Sequence, residues 1–199
     1  MLRKGLTVPT NMLENPISKE RIIVHPAEPG DPGVPGVPGV LRLEEQAAPD
    51  MIRPPVHLHR RQQERFEVLQ GQVTIQVRKD LRVLEVGASL TVEPGTPHTW
   101  WNCGDGELRM LVEFRPGGNM LSFFETYCGI AQEGRANASG GPPFLQVVAS
   151  ARLWDSYLGG PPVVLQRILF AILGPLARLR GYRASYDRFR VQQPVRPHS

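Results

Sequence analysis

The chain is poor in cysteine: Cys103 and Cys128 are the only two in 199 residues. Two are too few for a disulfide framework, and their separation fits neither a zinc knuckle nor a redox pair. Each is expected to act as a small apolar side chain in a reducing compartment, which places the protein in the cytoplasm. The opening MLRKGLTVPTNMLENP lacks the apolar run of an export signal, so none is expected. The most apolar stretch, residues 163–183, is broken by Gln166, Arg167, Pro175, Arg178 and Arg180. A membrane span needs ~20 apolar residues, so this stretch is not expected to cross a bilayer. Acidic residues are scarce at the C-terminal end. Residues 134–199 hold nine Lys+Arg against two Asp+Glu, a balance of +7, while residues 1–133 hold 14 against 17, a balance of −3. The net charge of +4 therefore resides in the last third, where a solvated arginine-rich face explains it without nucleic acid as a partner.

Glycine and proline are abundant, at 20 each. Residues 28–40 repeat Val-Pro-Gly and are expected to form a flexible surface loop, because Pro lacks an N–H and Gly adds backbone freedom. Before them, Ile22, Ile23 and Val24 read as a first strand. Between 40 and 114 the pattern is that of short strands: Val73, Ile75 and Val77 alternate with Thr74, Gln76 and Arg78. An Arg78-Lys79-Asp80 turn leads to Leu81, Val83 and Leu84, and Leu108, Met110, Val112 and Phe114 repeat the alternation.

From 119 the spacing becomes helical, with Asn119 as N-cap, Leu121, Phe124, Tyr127 and Cys128 on one face, and Gly134 as the stop. A second helix is expected around Leu145, Val148, Leu153 and Trp154, and a third from Val163 to Gly174-Pro175. The expected organisation is a barrel over 1–118 and a helical extension over 119–199. The extension packs on the barrel or across a homodimer; the alternative is a position at an anionic membrane surface.

Two segments carry chemistry, PPVHLHRRQQERFEVLQG and GASLTVEPGTPHTWWN. His57 and His59 are two apart, so on a strand both imidazoles leave one face; Glu64 can return to that face, and His98 can close the set from another strand. Three imidazoles and one carboxylate suit Fe, Mn, Ni, Co, Cu or Zn better than Mg or Ca, which prefer all-oxygen sites.

The spacings His57-x-His59-x4-Glu64-x6-Gly71 and Gly87-x5-Glu93-x-Gly95-x2-His98-x3-Asn102 resemble the two motifs of the cupin superfamily. Met51 stands where the first motif opens on Gly, and Glu93 where the second has Pro. The phrases RQQERFEV, PGTPHTWWN and LVEFRPG are similar to those of bacterial cupin-domain proteins with a helical C-terminal extension. The resemblance implies a mainly β fold, a double-stranded β-helix or jelly-roll barrel followed by helices. It also implies one divalent transition metal on His57, His59, Glu64 and His98, with Glu64 as both ligand and proton acceptor. The partner implied is a small organic molecule, either bound without turnover or processed by a dioxygenase, isomerase, decarboxylase or lyase.

Phe66, Val68, Trp100, Met110 and Val112, on the ligand-facing side of their strands, are expected to line the pocket. Trp101 is expected to point away and pack under a helix, and Glu67 to face solvent or pair with Arg65 or a neighbouring strand. No additional general base is placed near the metal.

Overall fold

Among the described residues between 12 and 115, the alternation of apolar and polar side chains produces ten antiparallel strands. The computed structural model describes residues 11–26 and 39–191. Apart from Gly39 and Val40, the Val-Pro-Gly loop expected at 28–40 lies outside the described residues. The strands are β1 (Met12–Asn15), β2 (Glu20–Val24), β3 (Leu41–Ala47), β4 (His57–His59), β5 (Gln63–Gln70), β6 (Val73–Val77), β7 (Asp80–Leu84), β8 (Ser89–Val92), β9 (His98–Asn102) and β10 (Leu108–Arg115). They form two facing sheets: β1-β2-β3-β10-β5-β8, and a second in which β4, β9, β6 and β7 follow one another. This is the jelly-roll arrangement, and its inward residues Leu43, Phe66, Ile75, Leu108, Met110, Val112 and Phe114 form one fully buried core.

Three features depart from the expected strands. β1 was not expected, because it is four residues long and followed by Pro16; the Asn15 side chain reverses the chain after it, Oδ1 accepting from the amides of Ile17 (3.1 Å) and Ser18 (3.2 Å). β7 is the outer strand of its sheet, and its Leu81 and Val83, paired with Gln76 and Thr74 on the face away from Val73 and Ile75, lie exposed. Finally, β11 (Ser156–Leu158) returns from the helical extension and adds itself to β4, pairing Ser156 with His59 and Leu158 with His57.

The helices are α1 (Met120–Gln132), α2 (Phe144–Trp154) and α3 (Val163–Leu179). α1 begins after Asn119 as expected, although the Asn119 side chain makes no capping bond. Its Met120, Phe124 and Cys128 complete the barrel core. α2 and α3 build a second core on the outer side of β4, from Leu58, Val148, Ala151, Tyr157, Phe170 and Ala177. α3 does not stop at Gly174-Pro175 but continues to Leu179. A proline ring ordinarily clashes with the Cβ of the preceding residue, and Gly174 has none; Pro175 still lacks an N–H and crowds the Ala171 carbonyl one turn back, but it stands in the last turns of the helix.

Candidate metal centre

The four ligand-type side chains come from three strands. β4 supplies His57 and His59, β9 supplies His98 paired directly with His57, and β5 supplies Glu64 from the opposite sheet. The three imidazole rings lie 4.4 Å (His57–His98), 5.2 Å (His57–His59) and 5.7 Å (His59–His98) apart, centre to centre. One nitrogen or oxygen from each of the four lies within 4.8 Å of all the others. Metal–ligand bonds of about 2.0–2.2 Å would draw these atoms closer together around an ion.

The tautomers follow from the backbone. His57 Nδ1 is 2.9 Å from the Pro55 carbonyl, and His98 Nδ1 is 2.9 Å from the Thr96 carbonyl. A carbonyl only accepts, so each Nδ1 carries the hydrogen and each Nε2 is left for a ligand. His98 Nε2 lies 2.8 Å from Glu64 Oε2. Burial lowers the pKa of His98, but the Glu64 charge and hydrogen bond outweigh it and the net shift is upward. Burial likewise raises Glu64, and the His98 charge, with His59 beside it, overcomes this and holds the carboxylate ionised below its ordinary range. His57 is pushed down to about 3 by burial and by its two histidine neighbours, so it stays neutral. His59 is different: both of its ring nitrogens are buried without a hydrogen-bond partner. Its Nε2 is 3.3 Å from Glu64 Oε2 yet poorly aligned for a bond. An orphaned buried nitrogen costs about 1–3 kcal/mol, and a cation between His59 and Glu64 would satisfy it. The donor set therefore fits a borderline transition metal.

The surroundings fix these ligands. β4 meets β9 at a single residue pair but meets β11 along its whole length. Asp155, between α2 and β11, is buried; its Oδ2 accepts from the Arg61 amide (3.0 Å) and pairs with the Arg61 guanidinium (3.2 Å). From the other side, Gly95 donates its N–H to the His59 carbonyl at 2.6 Å. Gly95 has φ +74°, a conformation that glycine adopts without steric cost. Asn102 is structural, its amide bridging the Ala47 (3.0 Å) and Gly106 (2.9 Å) carbonyls.

Among the expected lining residues, Phe66 has its ring 6.3 Å from that of His98. Val68, Trp100, Met110 and Val112 are all buried in the same core, and the strand register sets Val112 beside Phe66 and Met110 beside Val68. Phe114 was missed: it pairs with Glu64 across the strands and presents its edge to His59 at 5.5 Å. Its parity with Met110 and Val112 was the available signal. Trp101 is half-buried under the Arg53 guanidinium, 4.8 Å away, and not under a helix, because β9 turns that face to the loop before β4. Glu67 pairs with Arg65 at 2.8 Å, as expected.

A second interior acid was also missed. Glu45 shares the inward parity of Leu43 and Ala47, opposite Met110. Burial, with Glu20 and Glu64 adding to it, raises its pKa well above the ordinary carboxyl value. The folded state thus binds more protons than the unfolded chain above about pH 4.3, so this contribution to stability falls as pH rises through the raised pKa. Glu45→Gln is expected to flatten the decline in stability of the chelator-treated protein between about pH 5 and pH 8 and to stabilise it at the upper end. Urea midpoints of the two proteins at both pH values test this; parallel curves would exclude the effect.

Two facing antiparallel sheets, with three histidines and a glutamate converging between them, define a jelly-roll barrel with a metal-compatible side-chain cluster inside. Residues 44–114 match the family model described as Cupin domain, and the chain carries a cupin domain over that stretch. An oxidoreductase from Arthrobotrys oligospora is 30% identical over 151 residues, covering 69% of this chain and 59% of that protein. The chain thus spans less than two thirds of that relative's length. Among solved structures, the Schizosaccharomyces pombe Cnp3 cupin domain is similar with a TM-score of 0.43, 14% identity, and coverage of 57% of this chain and 74% of that one. A sugar phosphate isomerase from Silicibacter pomeroyi is similar with a TM-score of 0.41, 17% identity, and coverage of 50% and 60%.

Proposed function

We propose that the protein holds one divalent transition metal on His57, His59, Glu64 and His98 and acts there on a small organic molecule, as a dioxygenase-type oxidoreductase. The observation that carries this reading is the buried His59 ring, with no hydrogen-bond partner, beside an ionised Glu64. The bound metal would supply Lewis-acid or oxygen-activating chemistry. The protein's own residues prepare the site for it. The Pro55 and Thr96 carbonyls orient His57 and His98 so that Nε2 faces inward. Glu64, kept ionised, supplies the one negatively charged ligand; as a proton acceptor it would be weak, because the same histidines hold its pKa low. Phe66 and Phe114 bring apolar rings to His98 and His59 and exclude water, which favours an aliphatic or aromatic partner over a highly charged one. The resemblance to an oxidoreductase over 151 residues supports the redox side of cupin chemistry. Two free cysteines support a reducing, cytoplasmic setting.

Elemental analysis of protein purified without chelator or a nickel column is expected to find about one transition-metal ion per chain. Oxygen uptake with a panel of catechols and other aromatic substrates then separates the outcomes. Uptake that stops on chelation supports the dioxygenase reading. A loaded protein that consumes no oxygen would overturn the dioxygenase reading, and absence of metal would overturn the site.

A further inference from the structure

The helical extension carries a surface that the barrel does not use. α3 is anchored by one narrow face. Gln166 is buried, receives the Leu158 amide (3.0 Å) and donates to the carbonyls of Leu158 (2.9 Å) and Pro161 (2.8 Å). Phe170, Gly174 and Ala177 continue this face, with the Phe170 ring stacked on Tyr157 at 6.4 Å. At about 3.6 residues per turn, the opposite side of the helix consists of Val164, Leu165, Ile168, Leu169, Ile172, Leu176 and Leu179. All seven are exposed, with Ile168 at 52%, Ile172 at 69% and Leu179 at 86%. α3 is therefore apolar outward, over a contiguous stripe longer than scattered surface residues would make.

The charges around this stripe are all of one sign. Arg167 and Arg178 flank one border and Arg180 the other, and residues 156–186 contain no Asp or Glu. Where α2 meets the stripe, Arg152, Val164, Arg167, Ile168 and Ala171 line an open groove of about 320 Å³. No ion pair or hydrogen bond involves the Arg152 or Arg167 side chain among the described residues. A second copy of the chain suits this face poorly, because a two-fold contact would bring the guanidinium groups of Arg167 and Arg178 together with no carboxylate on the helix to offset them. An anionic bilayer meets both requirements. Its acyl boundary accepts the apolar stripe, and its headgroup phosphates accept the flanking arginines, whose long stems let the charge stay in the headgroup layer. No helix among the described residues is long and apolar enough to cross a membrane, so the contact is a surface one.

We propose that the outward face of α3 docks the protein onto an anionic lipid surface, with Arg152 and Arg167 taking a headgroup phosphate in the groove between α2 and α3. This inference does not depend on the metal. Flotation of the full chain with phosphatidylcholine vesicles, with and without phosphatidylglycerol, tests it. Binding is expected only to the phosphatidylglycerol vesicles, weakening as salt is raised. Ile168→Glu/Ile172→Glu is expected to abolish it. Arg152→Gln/Arg167→Gln is expected to weaken it on the order of tenfold. All four positions are exposed, and thermal melts matching wild type confirm that each variant folds; should the glutamate pair fail to fold, the arginine pair decides. Three outcomes overturn the proposal: no flotation, equal flotation with both vesicle types, or a dimer in light scattering that Ile168→Glu/Ile172→Glu dissociates, which would make a second copy the occupant.

Discussion

His98→Ala is expected to lose nearly all of the bound metal, from about one ion per chain to a trace, a greater loss than the 10–100-fold that removal of an outer-shell partner produces. His98 does more than donate one nitrogen. It sits opposite His57 on the adjacent strand and is the group whose charge most strongly opposes the burial of Glu64. Without it, the pKa of Glu64 should rise, because burial acts on that carboxyl in the opposite direction, and a protonated Glu64 is a poor ligand. Two of the four donors are therefore damaged by one substitution. A second readout distinguishes ligand loss from unfolding. Metal at 100 times its Kd stabilises the folded state by about 2.7 kcal/mol, so chelation should lower the melting temperature of wild type and leave that of His98→Ala unchanged. Wild-type occupancy in the variant would remove His98 from the site.

Most of the barrel and the four clustered side chains were legible in the sequence, the barrel from the two-residue period of its strands and the cluster from the spacing of two motifs. His57 and His59, Val73 to Val77 and Leu108 to Phe114 repeat at that period, and each occupies the strand it suggests. What was not legible depends on contacts between segments distant in sequence. β11 is a three-residue strand that forms against β4 across nearly a hundred residues, and nothing local marks it. Glu45 reads as one of two adjacent charged residues on a strand, Glu44 and Glu45; only the fold shows that Glu44 reaches Arg109 at the surface while Glu45 turns inward. The outward face of α3 was hidden for a related reason. An apolar helix is ordinarily read as a buried one, and the sequence does not show that Gln166, its most polar inner residue, is the anchor.

Phe114→Ala is expected to be the most destabilising single truncation in the barrel, at about 3–5 kcal/mol. Phe114 is 1% exposed and lies on β10, between β3 and β5, paired with Leu41 on one side and Glu64 on the other. Its ring also links two structures that the chain builds separately. One edge meets His59 at 5.5 Å, and its other neighbour is Phe124 of α1, at 5.9 Å. The cavity would therefore open between the metal ligands and the helix that completes the core, where neither side can collapse without moving the other. Against a total stability of about 5–15 kcal/mol, the loss should lower the melting temperature by roughly 10 °C in a protein of this size. Phe144→Ala, at a site 55% exposed, is the matching control and should stay within about 0.5 kcal/mol of wild type. Phe114→Leu refills most of the volume and should recover more than half of the loss, while metal affinity recovers with it if the ring's role is to hold His59 in place. A Phe114→Ala protein that melts with wild type would mean that the ring is not packed between the site and α1.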